Sequence, residues 1–437
     1  MVAAHARSFR QDGGAPSDSV HGMDLKDTPE LADYRAKVRA WLDEHKAAAP
    51  KRRGREDPDS VAQHREWQGK LAAAGFAAVT WPADYGGQGL GPLHQVVVNQ
   101  EIGRSGVPGL FDVIGVGMLG PTLIAHGTED QKQRHLGPML AAEEVWCQLF
   151  SEPAAGSDLA GIQARAKQHD DGSWSVSGQK VWTTNAQHAA YGLLLARTDA
   201  DVPKHRGLTM FVLPMDAEGV SIRPLRQISG DAHFNEVFLD DVRLEAGSEV
   251  GPVDGGWGVA MTTLMFERVA IGLGGEGFGW RADRFASALI EDEAGTRDRE
   301  VRHRFGAIAA EFLALRFTSY RTLTMVQRGG VPGPEGALAK VTTVRAAIAA
   351  GELLVDVLGP GALEDEKAGR LVSDMPGIRS AGGTEEILRS MVGERVLGLP
   401  PEPRLDKGVP FAELRARERR AVGGGERSDT DPAAAAS

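Results

Sequence analysis

The segment from Gln148 to Leu159 carries polar side chains at a spacing suited to ligand binding. Gln148 and Ser151 offer an amide and a hydroxyl, and Gly156 and Ser157 follow in a turn with several unpaired N–H groups. Consecutive N–H groups of such a turn can hydrogen-bond a flat polar ring or an anion. On residue types alone, however, a plain serine-rich turn is the favoured interpretation.

Glu267 and Arg268 form a second candidate pair, in the sequence Phe266-Glu267-Arg268. A glutamate in a dry cleft can act as a general base, because burial raises the basicity of its carboxylate. Adjacent charged residues on a helix are nevertheless most often solvent-exposed. The residues alone therefore favour a surface role.

Other common chemistries have no support in the sequence. Residues 115–120 and 272–277 match G-x-G-x-x-G, but neither match sits in the strand–helix context that a dinucleotide site requires. The sequence contains no Walker A motif, no His/Cys cluster at zinc spacing and no G-x-S-x-G. We therefore expect neither a metal site nor a serine nucleophile.

Composition limits the partners and the compartment. The net charge of −11 argues against a nucleic-acid-binding surface, although a local basic pocket could still accept an anionic substrate. Cys147 is the only cysteine, so no internal disulfide can form, and its apolar neighbours predict a buried thiol. No apolar run reaches ~18 residues, and residues 1–22 lack the apolar region of a signal peptide. We expect a cytoplasmic protein that binds neither nucleic acid nor membrane.

The elements that would position these residues fall into an α+β order. Helical periodicity begins after the Thr28-Pro29-Glu30 start, short strand-like runs separated by turn residues follow Cys147, and helical periodicity returns beyond Gly256. Consecutive short strands of this kind are typical of an antiparallel sheet. The predicted divisions are a disordered tail (1–22), an N-terminal helical domain (23–146), a β-barrel domain (147–253), a C-terminal helical bundle (254–400) and a disordered tail (401–437).

Several short motifs occur together with the 148–158 loop, each weak alone. They are the Trp-Pro-x-x-Tyr-Gly-Gly turn at 81–87, the strands 178–184 and 235–238, the pair 267–268, and the segments 382–387 and 393–400. In this order, over approximately residues 25–400, the set resembles the acyl-CoA dehydrogenase family.

The resemblance implies a fold and an activity. The fold would be an N-terminal helical domain, a central antiparallel β-barrel and a C-terminal four-helix bundle, with FAD between barrel and bundle. The activity would be FAD-dependent dehydrogenation of an acyl-CoA between its α and β carbons, giving the trans-2-enoyl-CoA. An electron-transferring flavoprotein would accept the electrons, and the chain would form a homo-oligomer or a hetero-oligomer with a homologous subunit.

The resemblance also assigns cofactor contacts by position. Trp182 would cover the flavin from one side, although a core aromatic of the barrel is the alternative for this residue. Ser157 and Gly156 would lie near the acyl-CoA or the polar linker of the cofactor. The implied FAD contacts are Gln148, Phe150, Ser151, Gly156, Ser157, Trp182, Thr184 and Thr384.

The catalytic base is where the sequence departs from the commonest pattern of the family. The usual glutamate before the Gly-Thr of the C-terminal motif is replaced by Gly382, which keeps only its backbone N–H as an oxyanion donor. In the branched-chain and long-chain members the base lies on a bundle helix, and Glu267 falls at that position. Arg268 would steer this carboxylate or the CoA moiety.

A second departure concerns assembly. An Arg-x-x-Phe-Gly segment, which reaches the FAD of a partner subunit in many members, is missing from residues 285–300. This absence supports one alternative, a degenerate subunit of a heteromeric acyl-CoA dehydrogenase, while Glu267 opposes it. A second alternative, a flavin oxidase or monooxygenase, stays open because the same fold hosts such enzymes. The acyl chain, and whether CoA or a carrier protein presents it, are also open.

Overall fold

The N-terminal region consists of helices that begin at residues suited to a helix start. A computed structural model of the chain describes residues 27–51, 57–273, 297–327 and 337–423. The Thr28 hydroxyl accepts the N–H of Leu31 at 3.3 Å, which confirms the predicted first helix start. The helices are α1 (Pro29–His45), α2 (Pro58–Ala73), α3 (Pro92–Ser105), α4 (Gly120–His126) and α5 (Glu129–Leu140), with a π-helical turn at Gly115–Leu119.

The central region is one seven-stranded sheet in the order β1-β4-β2-β3-β7-β6, with β5 on the other edge of β4. Its strands are β1 (Trp146–Leu149), β2 (Arg165–Gln168), β3 (Trp174–Thr184), β4 (Tyr191–Arg197), β5 (Leu208–Pro214), β6 (Val220–Leu225) and β7 (Phe234–Leu244). Two expectations were wrong. The sheet is mixed, because β1 and β2 run parallel to β4, and within residues 57–273 its end strands do not pair, so it is an open, curled sheet.

A buried carboxylate joins the N-terminal region to the first strand of the sheet. The buried carboxylate of Asp112 accepts the N–H of Gly115 at 2.8 Å and the N–H of Trp146, the first residue of β1, at 2.9 Å. The Asp112 N–H is in turn donated to Gln68 at 2.9 Å. The apolar side chains of the two regions form one continuous core around residues such as Trp67 and Trp146.

The C-terminal region is helical. Its described helices are α6 (Gly256–Leu273), α7 (Arg299–Gln327), α8 (Ala337–Leu358), α9 (Gly361–Glu364), α10 (Glu366–Ile378) and α11 (Glu385–Arg395). The helix α8 is central, since it packs against α6, α7, α10 and α11. A bundle of four helices stays a prediction, because 274–296 and 328–336 lie outside the described residues. In the parts of the chain that the structure describes, no helix is both long and apolar enough to cross a membrane.

The predicted disordered tail from residue 401 differs from the structure up to residue 423. A last helix, α12 (Phe411–Gly423), docks on the β region. The Phe411 ring is 7% exposed and lies 3.6 Å from the Arg197 guanidinium. Its N–H is donated to the carbonyl of Val202 at 2.9 Å. The docking depends on one buried aromatic side chain and a few backbone hydrogen bonds, which the composition of the segment does not reveal. The predicted tails at 1–22 and 424–437 lie outside the described residues.

We predict that Phe411→Ala releases this helix from the sheet. Removing a buried phenylalanine costs about 3–5 kcal/mol in a core, and a site at the edge of the domain should lie near the low end. Hydrogen exchange measured by mass spectrometry should show lost protection in residues 405–420. Leu405→Ala is the control, because Leu405 is 86% exposed. Unchanged protection in Phe411→Ala would contradict the docking.

Candidate active site

A buried ion pair holds the 148–158 loop against strand β3. The Lys180 ammonium donates hydrogen bonds to the Glu152 carboxylate at 2.8 Å and to the carbonyl of Phe150 at 3.1 Å. Both side chains are buried, so burial lowers the pKa of Lys180, while the Glu152 carboxylate opposes that shift. The Val181 N–H is donated to the carbonyl of Ser151 at 2.9 Å. The loop and the strand therefore form one rigid unit.

The same ion pair fixes the far end of the loop. The two oxygens of Glu152 accept the N–H groups of Gln163 at 2.6 Å and Ala164 at 2.9 Å. A short antiparallel bridge between Glu152 and Ala155 turns the chain just before Gly156. One carboxylate thus positions both sides of the turn that contains Gly156 and Ser157, and both of these residues are exposed.

Trp182 sits on an irregularity of the sheet. The register between β3 and β7 shifts between Lys180 and Thr183, and Trp182 has φ +60°, a left-handed conformation that costs an ordinary residue energy. Its side chain is 60% exposed and meets the Phe234 ring edge-on at 5.8 Å. The alternative of a core aromatic is therefore wrong. The bulge turns a large flat side chain outward beside the Ser151 loop.

The other residues predicted near the flavin differ in accessibility. Phe150 is buried, so it supports the loop rather than presenting a face to solvent. Gln148 lies half-buried in β1 opposite Leu193, and Thr184 is half-buried at the end of β3. The structure brings Ser151, Trp182 and Thr184 to one end of the sheet.

A second group of predicted residues lies on the helices. Gly382 and Gly383 have φ +66° and +89°, so both adopt the left-handed conformation that glycine tolerates best. The Thr384 hydroxyl accepts the N–H of Ile387 at 3.3 Å and caps α11, which leaves its hydrogen available for donation. These residues form a tight turn between α10 and α11.

Glu267 is half-buried on α6. It interacts electrostatically with Lys340, a residue that the sequence analysis did not single out. Lys340, on α8, is 5% exposed, and its ammonium donates a hydrogen bond to the carbonyl of Ala381, next to Gly382. Burial lowers the pKa of Lys340 to about 8, while the charge of Glu267 acts to raise it. The signal was helical spacing, because Lys340 shares a buried face with Val344 and Ala347. The side chain of Arg268 lies outside the described residues.

Contacts between the regions bring the helices towards the end of the sheet that carries Trp182. Asn185, next to Thr184, donates its N–H to the carbonyl of His233 at 2.9 Å. In the same loop, Asp231 pairs with Arg370 of α10 at 3.0 Å. Since α10 packs against α8, this link ties the Trp182 end of the sheet to the helix that carries Lys340.

The residues at this end of the sheet fit a flat polar cofactor. An exposed indole offers a stacking face, and the half-buried side chains of Ser151 and Thr184 supply hydroxyls at its edge. Among the described residues, no group of three or more His, Cys, Asp or Glu side chains is placed to hold a metal ion.

Comparison with known proteins places the whole arrangement in one family. Residues 28–143 match the N-terminal domain of acyl-CoA dehydrogenases, residues 147–242 the middle domain and residues 254–397 the C-terminal domain. The chain belongs to the acyl-CoA dehydrogenase family. It is accordingly an oxidoreductase of the acyl-CoA dehydrogenase type, and a flavoprotein with FAD as its cofactor.

Two of the curated relatives are bacterial acyl-CoA dehydrogenases. The chain is 37% identical to acyl-CoA dehydrogenase IpdE1 of Mycolicibacterium smegmatis over 395 residues, 85% of this chain and 99% of the relative. It is 39% identical to acyl-CoA dehydrogenase FadE34 of Mycobacterium tuberculosis over 330 residues, 76% of this chain and 45% of the relative.

Among solved structures, the steroid acyl-CoA dehydrogenase Tcur3481-Tcur3483 is similar, with a TM-score of 0.74 and 29% identity over 87% of this chain and 100% of that chain. The ChsE4-ChsE5 complex from Mycobacterium tuberculosis gives a TM-score of 0.71 and 27% identity over 86% of this chain and 100% of that chain.

We predict that Lys180→Met loosens the 148–158 loop. Removing one partner of a buried ion pair leaves the Glu152 carboxylate without its counter-ion, which typically costs about 3–5 kcal/mol. Thermal unfolding should occur at lower temperature, and FAD fluorescence should show faster release of the cofactor. Lys167→Met is the control, because Lys167 is an exposed lysine of β2. Equal FAD release by the two variants would show that the ion pair does not hold the loop.

Proposed function

We propose that the chain removes the α-proton of an acyl-CoA with Glu267, forming the trans-2-enoyl-CoA. One observation carries the proposal: Lys340 contacts the carbonyl next to Gly382 and lies within the electrostatic reach of Glu267. A carboxylate on α6 and the backbone N–H of the 382–384 turn are thereby brought to one region, although they lie 115 residues apart in sequence.

The chemistry needs a base and an oxyanion donor around one thioester. The Glu267 carboxylate takes the α-proton, while the Gly382 N–H donates a hydrogen bond to the thioester oxygen and makes that proton more acidic. FAD, when bound, accepts the hydride that leaves the β-carbon. Both protein groups gain strength from a site that excludes water, because low dielectric strengthens charge–dipole interactions.

The cofactor contacts follow from the two groups of residues. We assign the face of the isoalloxazine to Trp182 and its polar edge to Gln148, Ser151 and Thr184, with Phe150 supporting them from below. The Thr384 hydroxyl retains a hydrogen to donate from the helix side. The exposed turn residues Gly156 and Ser157 are assigned to the acyl-CoA or the polar linker of FAD, and Arg268 to the CoA moiety.

We infer that the substrate carries a bulky acyl group. Gly382 has no side chain, so it takes up less space at the 382–384 turn than a glutamate would. The steroid acyl-CoA dehydrogenase at 29% identity supports a polycyclic, steroid-derived acyl-CoA as the substrate class. The subgroup with its base on a bundle helix is the one to which we assign the chain.

The assembly and the electron acceptor are also proposals. Exposed apolar side chains on the bundle helices, among them Leu313 and Phe317 one turn apart on α7, support burial against another subunit. Two of the similar structures, Tcur3481-Tcur3483 and ChsE4-ChsE5, each combine two different proteins, which supports a heteromer. An electron-transferring flavoprotein is the acceptor that we propose.

We predict that Glu267→Gln keeps FAD bound but slows its reduction. The substitution keeps the shape of the side chain and removes its basicity, and loss of a general base costs on the order of 10²–10⁴ in rate. The measurement is anaerobic bleaching of the flavin absorbance with a panel of steroid-derived and straight-chain acyl-CoAs.

Glu352→Gln is the matched control, because Glu352 is an exposed carboxylate on α8. Bleaching of Glu267→Gln at the wild-type rate would assign the base to another carboxylate. A purified wild-type chain that is colourless, and remains so after addition of FAD, would favour the degenerate-subunit alternative.

We predict that Leu313→Glu lowers the mass of the native assembly. A charge placed in a buried apolar interface must be desolvated without a partner, which opposes association. Light scattering should give a tetramer for the wild type and smaller species for the variant. Ile228→Glu, at an exposed position on a loop of the β region, should leave the mass unchanged. A folded wild-type monomer that gains mass only with a homologous subunit would indicate the heteromer.

A further inference from the structure

Lys340 is a charged residue in a place that ordinarily excludes charge. It lies on α8 with a 5% exposed side chain, on the face that also carries the fully buried Val344 and Ala347. Transferring an ammonium group into an apolar region costs several kcal/mol unless hydrogen bonds and an opposite charge compensate it. A methionine would fill the same volume without that cost. The position therefore requires a reason for keeping the charge.

The contacts of Lys340 supply that reason. Its ammonium donates a hydrogen bond to the carbonyl of Ala381, and it interacts electrostatically with Glu267 on α6. The three groups come from three separate elements, namely α6, α8 and the turn before α11. Lys340 is thus placed between the proposed base and the proposed oxyanion donor.

The bond to Ala381 acts on Gly382 through the peptide group that they share. The carbonyl of Ala381 and the N–H of Gly382 belong to one planar unit and, in a trans peptide, point in opposite directions. A cation on the carbonyl fixes the orientation of this plane and polarises it, which makes the N–H a stronger donor. Gly382 adopts a left-handed φ and has no side chain, so no side-chain contact restrains the orientation of this peptide plane.

We propose that Lys340 is a positioning residue of the active site. It orients the Gly382 N–H and strengthens it as a donor through the Ala381 carbonyl, and it places a positive charge near the Glu267 carboxylate. The inference rests on the function proposed above and extends it to a residue that acts through the Ala381 peptide group.

The first test separates charge from structure with two variants. Lys340→Met fills the same volume without the ammonium, and flavin reduction by acyl-CoA should slow by ~10- to 100-fold, less than direct loss of an oxyanion donor. Its thermal stability at pH 7 should equal or exceed that of the wild type, because a buried charge is removed. Lys340→Arg keeps the charge and should recover part of the rate.

The pH profile gives a readout that a structural role would not change. Glu267 loses the neighbouring cation in Lys340→Met, so the acid limb of the rate profile should move to higher pH. Arg345→Met is the control, since Arg345 is an exposed cation on the same helix. It should leave both the rate and the profile as they are in the wild type.

A third readout needs no catalysis. The pKa of Lys340 is about 8 in the folded chain against 10.5 as a reference, so the unfolded state binds more protons between these values. Wild-type stability should therefore rise from pH 8 to pH 10 relative to Lys340→Met. In Glu267→Gln the rise should begin at lower pH, because the charge that raises the pKa of Lys340 is gone.

The outcomes are distinguishable. If wild-type flavin stays oxidised with every acyl-CoA, the proposed function fails and the catalytic role of Lys340 fails with it. If the wild type is reduced and Lys340→Met matches its rate and pH profile, only the role of Lys340 is overturned. A difference in stability between wild type and Lys340→Met that does not change from pH 8 to pH 10 would contradict the buried, charge-coupled placement itself.

Discussion

Each of the two turns that form the candidate site is held by the ammonium group of a buried lysine. On the sheet side, Lys180 donates a hydrogen bond to the carbonyl of Phe150. On the helix side, Lys340 donates one to the carbonyl of Ala381. Both lysines lie on regular elements, and both turns expose main-chain N–H groups. A turn has few packing contacts of its own, so a strong charge-assisted bond from a rigid element is an effective way to fix it. The stability and the geometry of the site therefore depend on the same two bonds.

The two ammonium groups differ in how fully their charge is compensated. Lys180 has the nearby carboxylate of Glu152, which also accepts two main-chain N–H groups, so this network is internally satisfied. Lys340 shares its environment with Glu267, a carboxylate that must change protonation state if it is the base. The first lysine therefore suits a permanent structural role. The second lies where its own charge responds to events at the site, as clustered perturbed groups in clefts often do.

The sequence singled out residues of the candidate site but not the residues that hold them in place. Trp182 and the 148–158 loop were singled out by a family resemblance, and the structure brings Trp182 and Ser151 together. Lys180 lies inside a recognised motif, yet only the fold reveals that it faces Glu152. Lys340 carried no motif, since one lysine on an apolar helical face also occurs at surfaces. The parallel pairing of β1 with β4 was missed because strand-like runs in a sequence indicate neither the direction of a strand nor its pairing partner.

The replacement of a glutamate by Gly382 has a conformational side as well as a chemical one. At φ +66° a residue with a side chain is strained, and at φ +89° the following Gly383 adds a second left-handed position. A turn of two such glycines can close tightly and direct a backbone N–H without a side chain in the way. Such a turn has little stiffness of its own, so an outside restraint must supply it. In the proposed function the base comes from another element, the helix α6. In the proposed function the glycine, the lysine on α8 and the glutamate on α6 act as one set: the glycine donates its N–H, the lysine orients that N–H, and the glutamate takes the proton.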